Sequence, residues 1–289
     1  MDHQAKKLFK LLSGLLLIFF FLIGLTVNLQ KDRQNLEVVF LDVGQGDAIL
    51  IKTPYEQNIL IDGGPDNSVL SQLGRNLAFF DKELDLVILT HPHADHVTGL
   101  VEILRRYKVK KVLLTGVLHT APDYQAFLKE IASQEIETEI ANSWREIDLG
   151  PDLVLEILYP WSDLSQQKVE NLNNSSIVAK LVYKNNSFLF TGDAEIEVEK
   201  ELIAAGLDLS AQVLKVGHHG SKSSSSLYFL AKVKPQYAVI CAGQNNKFDH
   251  PHLRTLDNLE KLGIKILRTD QLGTIKFIGD GSNNLQYKK

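Results

Sequence analysis

The chain has 289 residues, of which 44% are hydrophobic, enough for one large α/β domain with a substantial core. Its single cysteine, Cys241, excludes an intramolecular disulfide. Residues 34–289 hold 26 basic and 33 acidic residues, a net charge of −7. This balance argues against a strong, non-specific nucleic-acid binder, but leaves room for a local basic groove.

The first 33 residues have the composition of a membrane anchor. Residues 11–30, LLSGLLLIFFFLIGLTVNLQ, carry no charge and follow Lys6, Lys7 and Lys10, and they are long enough to cross a bilayer. No A-x-A cleavage site follows, so we expect an uncleaved anchor; cleavage would give a secreted protein. The charge asymmetry predicts a single-pass protein of the cell membrane, with residues 34–289 as an extracytoplasmic domain.

Beyond Gln34, short apolar runs separated by turn residues predict three antiparallel strands, LEVVFLDV, DAILIKT and NILID. Helices are then expected over residues 67–79, 96–107 and 123–133, alternating with strands. Strands return at 144–159 and 176–191, and alternation resumes to about residue 267. Two strand-rich runs, each followed by alternating helices, predict two facing sheets with helices outside.

Three histidines and an aspartate crowd the segment THPHADHVTG, residues 90–99, directly after a predicted strand. His91 and His93 can point to one side of an extended segment, while Asp95 and His96 begin a helix that can aim them at the same point. Converging imidazoles and a carboxylate describe a divalent metal site, for which Zn²⁺ and Mn²⁺ are both compatible. The alternative is a polar loop with exposed histidines, which this ligand density disfavours.

Four further candidates follow predicted strands. Asp62 follows NILI, Asp193 follows SFLFTG, and His218 and His219 follow AQVLKVG. Taken singly, Asp62 is equally typical of a turn and Asp193 of a helix cap. Their recurrence at strand ends favours one shared site.

These ordered motifs resemble the metallo-β-lactamase superfamily. More narrowly, the segments that follow resemble the extracytoplasmic C-terminal domain of ComEC-type competence proteins: FLDVGQGDAILI, ILIDGGP, LTHPHADHVTGL, FLFTGDAE, VLKVGHHGSKSS, DHPH and RTDQLGTI. The resemblance covers about residues 36–278. It implies an αββα sandwich with one or two metal ions, Zn²⁺ or Mn²⁺, at one sheet edge.

The resemblance also implies roles for single residues. One ion would be held by His91 and His93, and a second by Asp95, His96 and His219, with Asp193 bridging them. His218 would contact substrate. Asp62 would orient a ligating imidazole by accepting a hydrogen bond from its other nitrogen.

The sequence departs from the superfamily at the third histidine of the first ion. His119 comes too early in the chain, and Asn173 or Asn174 lies nearer the expected place. We therefore expect Asn174, or its neighbour, beside the site, and a first ion that is weaker, oxygen-ligated or preferentially manganese.

The expected reaction is metal-assisted hydrolysis. Asp95 would also position the water, and His218 with His250 or His252 would grip a phosphate or protonate the leaving group. The alternative for DHPH is a set of ordinary helix-start residues.

Lys222 and the backbone of GSKSSSS suit an anion, although a serine-rich helix cap explains that segment equally well. RRYKVKK, residues 105–111, is either a basic patch or a solvated helix end.

The sequence therefore predicts a membrane-anchored phosphodiesterase or nuclease that acts on DNA outside the cytoplasmic membrane. One alternative is a hydrolase of another envelope phosphodiester or ester, such as a phosphorylcholine or teichoic-acid substituent. Another is a non-catalytic binding module with a degenerate metal site. No protein partner is evident from the sequence.

Overall fold

The computed structural model describes Lys7 and residues 12–21, 35–143 and 145–289. Lys7 and residues 12–21 are helical, and the remainder of the predicted anchor, residues 1–33, lies outside the described residues. Within the described ranges, no helix combines the length and apolar character that crossing a membrane requires.

Two sheets form the centre of the fold. The first contains β1 (Leu36–Phe40), β2 (Ile49–Lys52), β3 (Asn58–Ile61), β4 (Glu83–Leu89), β5 (Lys108–Leu114), β6 (Glu137–Ile140), β14 (Ile275–Gly279) and β15 (Gln286–Lys288). Their order is β15-β14-β1-β2-β3-β4-β5-β6. The predicted hairpin run β1 to β3 is antiparallel, and β3 to β6 are parallel.

The second sheet contains β7 (Arg145–Gly150), β8 (Leu153–Tyr159), β9 (Val178–Tyr183), β10 (Asn186–Phe190), β11 (Val213–Lys215), β12 (Tyr237–Ile240) and β13 (Lys265–Arg268). Its order is β13-β12-β11-β10-β9-β8-β7. Strands β10 to β13 are parallel, so their carboxyl ends meet at one edge. The loops that follow these strands therefore lie side by side along that edge.

The helices are α1 (Ser68–Asn76), α2 (Ala94–Arg106), α3 (Pro122–Ser133), α4 (Ile196–Ala204), α5 (Leu227–Val233), α6 (Leu253–Lys261) and α7 (Thr269–Leu272). Short 3₁₀ turns lie at Leu172–Ser175 and Gly217–Gly220. The predicted first helix ends earlier than expected, at Asn76, and the second begins earlier, at Ala94.

Successive side chains of a strand face opposite sides of its sheet, and the apolar side chains therefore form three layers. In β1, Val38 and Phe40 belong to the core that both sheets share, where Phe40 contacts Phe190 and Phe277. Val39, between them, faces the opposite way, into the layer under α1 to α3. A third layer packs α4 to α6 on the second sheet. Because strands such as β1 are buried on both faces, they read as continuous apolar runs.

The basic run RRYKVKK crosses from α2 into β5 and is largely neutralised. Lys108 Nζ lies 2.8 Å from Glu83, Lys110 Nζ 2.7 Å from Asp85, and Lys111 Nζ 2.7 Å from Glu137. The two arginines pair with Glu102, and Arg105 also pairs with Glu130. The run is therefore not a free basic patch, whereas Arg105 and Arg106 do lie in the exposed last turn of α2, as the helix-end alternative predicted.

Candidate metal centre

The predicted site residues gather where parallel strands end. Asp62 directly follows β3, the HPHADH segment follows β4, Asp193 follows β10, and the histidine pair of Gly217–Gly220 follows β11. Parallel strands present their carboxyl ends at the same edge, so residues more than a hundred positions apart meet there.

Backbone contacts fix the Asp62 turn against the start of α2. Gly63 N–H donates to His96 O at 2.7 Å, and Gly99 N–H donates to Gly64 O at 3.1 Å. Only glycine permits this approach at position 99, because a Cβ there would collide with the carbonyl oxygen of Gly63. The turn therefore lies directly beneath His96.

Four side chains converge on one point: Asp95, His96, Asp193 and His219, each offering a ligand atom within 4.8 Å of the others. Asp193 Oδ2 lies 3.3 Å from His96 Nε2 and 3.4 Å from His219 Nε2. Asp95 Oδ2 lies 3.2 Å from His219 Nε2. Two imidazoles and two carboxylates are a donor set that Zn²⁺ and Mn²⁺ both accept.

Both imidazole nitrogens that face Asp193 have no hydrogen-bonding partner. His96 Nε2 and His219 Nε2 are buried, and neither forms a hydrogen bond with the described residues. The same is true of Asp193 Oδ1, the oxygen nearer Lys215. Buried polar atoms in folded proteins are almost always paired, and an ion is a common reason for an exception. The residues present therefore fit a divalent cation.

The other nitrogen of each imidazole is held by an acceptor. His96 Nδ1 lies 2.8 Å from Asp62 Oδ2, and His219 Nδ1 lies 2.9 Å from the carbonyl oxygen of Cys241. Asp62 also accepts from the Thr90 N–H and hydroxyl, at 2.8 and 2.7 Å. These acceptors fix both rings with Nε2 toward the centre.

The buried carboxylates of the site shift the pKa values of its histidines. Burial opposes protonation of His96, but Asp193 and Asp62 outweigh it and raise its pKa well above the usual value. Burial likewise opposes protonation of His219, whose pKa Asp193 and Asp47 raise. His91 shows the reverse, because burial and the neighbouring His96 charge lower its pKa well below the usual value.

His91 and His93 form the other side of the site. His91 Nε2 lies 3.0 Å from His93 Nδ1 and 3.8 Å from Asp193 Oδ2. Asp193 Oδ2 is therefore within ion-pair distance of His91 as well as of His96 and His219.

Asn173, rather than Asn174, is the asparagine whose side chain lies beside His218 at the edge of the site. The Asn173 amide lies 3.3 Å from His218 Nδ1, and its Oδ1 is buried without a hydrogen-bond partner among the described residues. Asn174 turns away instead, accepting a hydrogen bond from Glu195 N–H at 3.0 Å. His119 lies in the loop after β5, where its carbonyl accepts from Gln125 and its ring approaches Tyr124.

The residues predicted to meet substrate lie at the rim. His218 Nδ1 is 3.0 Å from Glu195 Oε1, and its Nε2 is 4.0 Å from Asp193 Oδ2. The His250 ring centroid lies 5.3 Å from that of His218. Burial and the charges of His219 and His218 lower the pKa of His250 to about 4, so its imidazole is neutral at pH 7.

His252 and Lys222 are brought together by the backbone. Lys222 N–H donates to His252 Nδ1 at 3.0 Å, while the Lys222 side chain is exposed. The serine-rich segment forms a helix cap, the alternative role predicted for it. Ser226 Oγ accepts a hydrogen bond from Phe229 N–H at 3.2 Å. Helix α5 begins at Leu227, directly after this cap.

Two buried residues of the site were not identified from the sequence. Lys215 Nζ forms an ion pair with Asp47 Oδ2 and lies 3.8 Å from Asp193 Oδ1. Asp47 Oδ1 lies 3.4 Å from His219 Nδ1. The available signals were a lysine inside the apolar strand VLKV and an aspartate directly after the GQG turn.

Comparison with known proteins agrees with this architecture. The sequence model of the metallo-beta-lactamase superfamily matches residues 41–244. Among solved structures, Igni18, a metallo hydrolase from the archaeon Ignicoccus hospitalis, superposes with a TM-score of 0.54 at 17% identity, covering 83% of this chain and 98% of Igni18. At that identity the likeness supports the fold alone, and it confirms the predicted sandwich of two facing sheets with helices outside.

Two curated relatives are more similar in sequence. ComE operon protein 3 of Bacillus subtilis (strain 168) is 33% identical over 258 residues, 83% of this chain and 33% of the relative. Competence protein ComA of Neisseria gonorrhoeae is 31% identical over 252 residues, 86% of this chain and 33% of the relative. The chain thus spans about a third of the length of these relatives. Their similarity confirms the resemblance to ComEC-type competence proteins.

Proposed function

This chain belongs to the metallo-β-lactamase superfamily, and on that premise we propose that it is a metal-dependent phosphodiesterase or nuclease that acts on DNA. The observation that carries the proposal is the convergence of two imidazoles and two carboxylates, in which the buried Nε2 atoms of both imidazoles have no hydrogen-bond partner among the described residues. The same geometry disfavours a degenerate, non-catalytic module, because Asp95, His96, Asp193 and His219 together supply a full set of ligands for one ion.

We assign the ions to named residues. Asp95, His96 and His219 would hold one, His91 and His93 the other, and Asp193 would contact both. A divalent cation in such a site stabilises negative charge on a phosphoryl oxygen and makes water a better nucleophile near neutral pH. Either Zn²⁺ or Mn²⁺ suits the donors.

The protein's own groups would position the reactants. The Asp95 side chain is 28% exposed, unlike the buried His96, His219 and Asp193, so it is the ligand that can also accept a hydrogen bond from attacking water. The Glu195 carboxylate holds His218 at its Nδ1, which leaves Nε2 facing Asp193 and the site. His218 can then donate a proton to the leaving oxygen, and neutral His250 can donate a hydrogen bond to the phosphate.

DNA is proposed as substrate because both curated relatives described above are ComEC-type competence proteins. The uncharged run at residues 11–30, preceded by lysines, supports placement of the domain outside the cytoplasmic membrane on an N-terminal anchor. No feature of the described residues favours a second substrate class over DNA.

A parallel substrate panel tests the proposal. Chelator-stripped full-length chain would be offered single-stranded DNA, RNA of the same sequence and glycerophosphocholine, each with Mn²⁺ and with Zn²⁺. We expect metal-dependent cleavage that is fastest on DNA. Preferential hydrolysis of glycerophosphocholine would instead identify an envelope phosphodiesterase. Absence of all hydrolysis with either ion would overturn the enzymatic proposal.

A further inference from the structure

A rigid turn beside the candidate metal centre presents an aromatic ring to solvent. Residues 246–250, here called the Phe248 turn, are held by the Asn246 side chain. Its Oδ1 accepts from the N–H groups of Phe248 and His250, both at 3.1 Å, and its Nδ2 donates to the carbonyls of Gly243 and His250, at 2.9 and 2.6 Å. The exposed Phe248 therefore belongs to a turn that four hydrogen bonds of the Asn246 side chain hold in place.

The His250 ring lies between the exposed Phe248 ring and the proposed metal ligand His219. Phe248 is 47% exposed and stacks on His250, with centroids 5.7 Å apart and ring planes at 23°. His250 in turn lies 6.1 Å from His219, centroid to centroid. An aromatic surface is thus joined to the proposed ligand His219 through the single intervening ring of His250.

Exposed cations lie beside this ring and beside His252, whose ring centroid is 4.9 Å from that of His250. Lys247 Nζ lies 5.0 Å from the Phe248 centroid, and Arg254 Nη1 donates to Lys222 O at 3.2 Å, which places two more exposed basic residues beside His252. Over the described residues, none of these three side chains has an ion-pair partner, whereas every lysine of RRYKVKK has one. The exposed Asp249 of the same turn does not pair with them either.

We infer that Phe248 stacks on an unpaired nucleobase next to the phosphodiester at the metal centre, while Lys222, Lys247 and Arg254 follow the backbone phosphates. An aromatic ring amid cations is the combination by which proteins bind single strands, and only an unpaired base exposes its π face. This inference rests on the proposed function and specifies it: the substrate is a single-stranded polynucleotide, recognised through its bases.

Four forms of the full-length chain test the inference: wild type, Phe248→Ala, Phe248→Trp and Phe80→Ala. Phe80 is a matched control because it is 90% exposed and lies in the loop between α1 and β4. Binding would be measured by fluorescence anisotropy with a phosphorothioate single strand that resists cleavage, and with an abasic strand of equal length. Cleavage of the corresponding phosphodiester strands would be measured in parallel.

We expect Phe248→Ala to weaken binding of the base-bearing strand about 5-fold to 150-fold, the range set by loss of one base stack. Binding of the abasic strand should not change, and Phe248→Trp and Phe80→Ala should bind as wild type does. Equal binding of the base-bearing strand by Phe248→Ala and wild type would overturn the inference.

The binding assay separates this inference from the proposed function. If wild type binds the strand through Phe248 but cleaves nothing with either ion, the base platform stands and the nuclease proposal fails. If wild type cleaves base-bearing and abasic strands equally, and Phe248→Ala does the same, the nuclease proposal stands and the platform is wrong.

Discussion

The Asp62 carboxylate lies 2.8 Å from His96 Nδ1, and both side chains are completely buried. Burial raises the pKa of Asp62, an effect that the neighbouring His96 charge partly offsets. The pair connects the turn after β3 to the first turn of α2. It leaves His96 Nε2 directed at Asp193, where a metal ion would lie.

Replacing Asp62 by Asn should weaken metal binding about 10-fold to 100-fold, because the charged acceptor that orients the imidazole is lost and only one of the two accepting oxygens remains for Thr90 and His96. Isothermal titration with Mn²⁺ and Zn²⁺ would measure the change. Asp66→Asn, an exposed aspartate in the same loop, is the matched control and should bind as wild type. Unchanged affinity in Asp62→Asn would show that Asp62 does not orient a metal ligand.

Replacing Asp95 by Ala should reduce phosphodiester turnover by about 100-fold or more, because the change removes both a proposed ligand and the exposed acceptor for water. Asp95 is partly exposed, so the variant should keep the thermal unfolding midpoint of the metal-free wild type. Full activity in a folded Asp95→Ala variant would mean that the reaction centre lies elsewhere.

The buried Lys215–Asp47 ion pair should be needed for stability. Lys215→Met would leave the Asp47 charge buried, which costs about 3–5 kcal/mol in the free energy of unfolding. Lys180→Met is the comparison, because its partner Asp208 is 75% exposed and its loss should cost about 1 kcal/mol or less. Urea denaturation would measure both, and equal losses would refute this difference.

Metal binding should release protons at pH 7. Burial disfavours the charged imidazoles of His96 and His219, but the surrounding carboxylates raise their pKa values, so the metal-free site holds protons that an ion must displace. Affinity should therefore fall as the pH falls below those raised values. Calorimetry in two buffers of different ionisation enthalpy would count the protons, and a buffer-independent enthalpy would contradict this expectation.

Much of the site could be predicted from local sequence. HPHADH is a dense motif in a strand–loop–helix context, and Asp62, Asp193 and His219 each follow an apolar run, so the rule that parallel strands end at one edge brings them together. Phe40 and its neighbours in β1 could be placed in a doubly covered strand from their unbroken apolar run.

Other features depend on contacts that the sequence does not specify. Asn173 and Asn174 are adjacent in a polar loop, and only the 3₁₀ turn decides which amide faces the site. Lys215 and Asp47 are 168 positions apart, and each alone looks like an isolated charge. The sequence left RRYKVKK open between a basic patch and a solvated helix end, because the carboxylates that pair with its lysines, such as Glu137, come from a neighbouring strand.

The most direct test of the account is the metal content of the chain. Purified full-length protein would be dialysed to equilibrium against Mn²⁺ or Zn²⁺ and its bound metal measured by mass spectrometry, beside a His219→Ala variant. We predict at least one ion per wild-type chain and a clear loss in the variant. A wild-type chain that retains neither ion would contradict the claim that these residues form a metal centre.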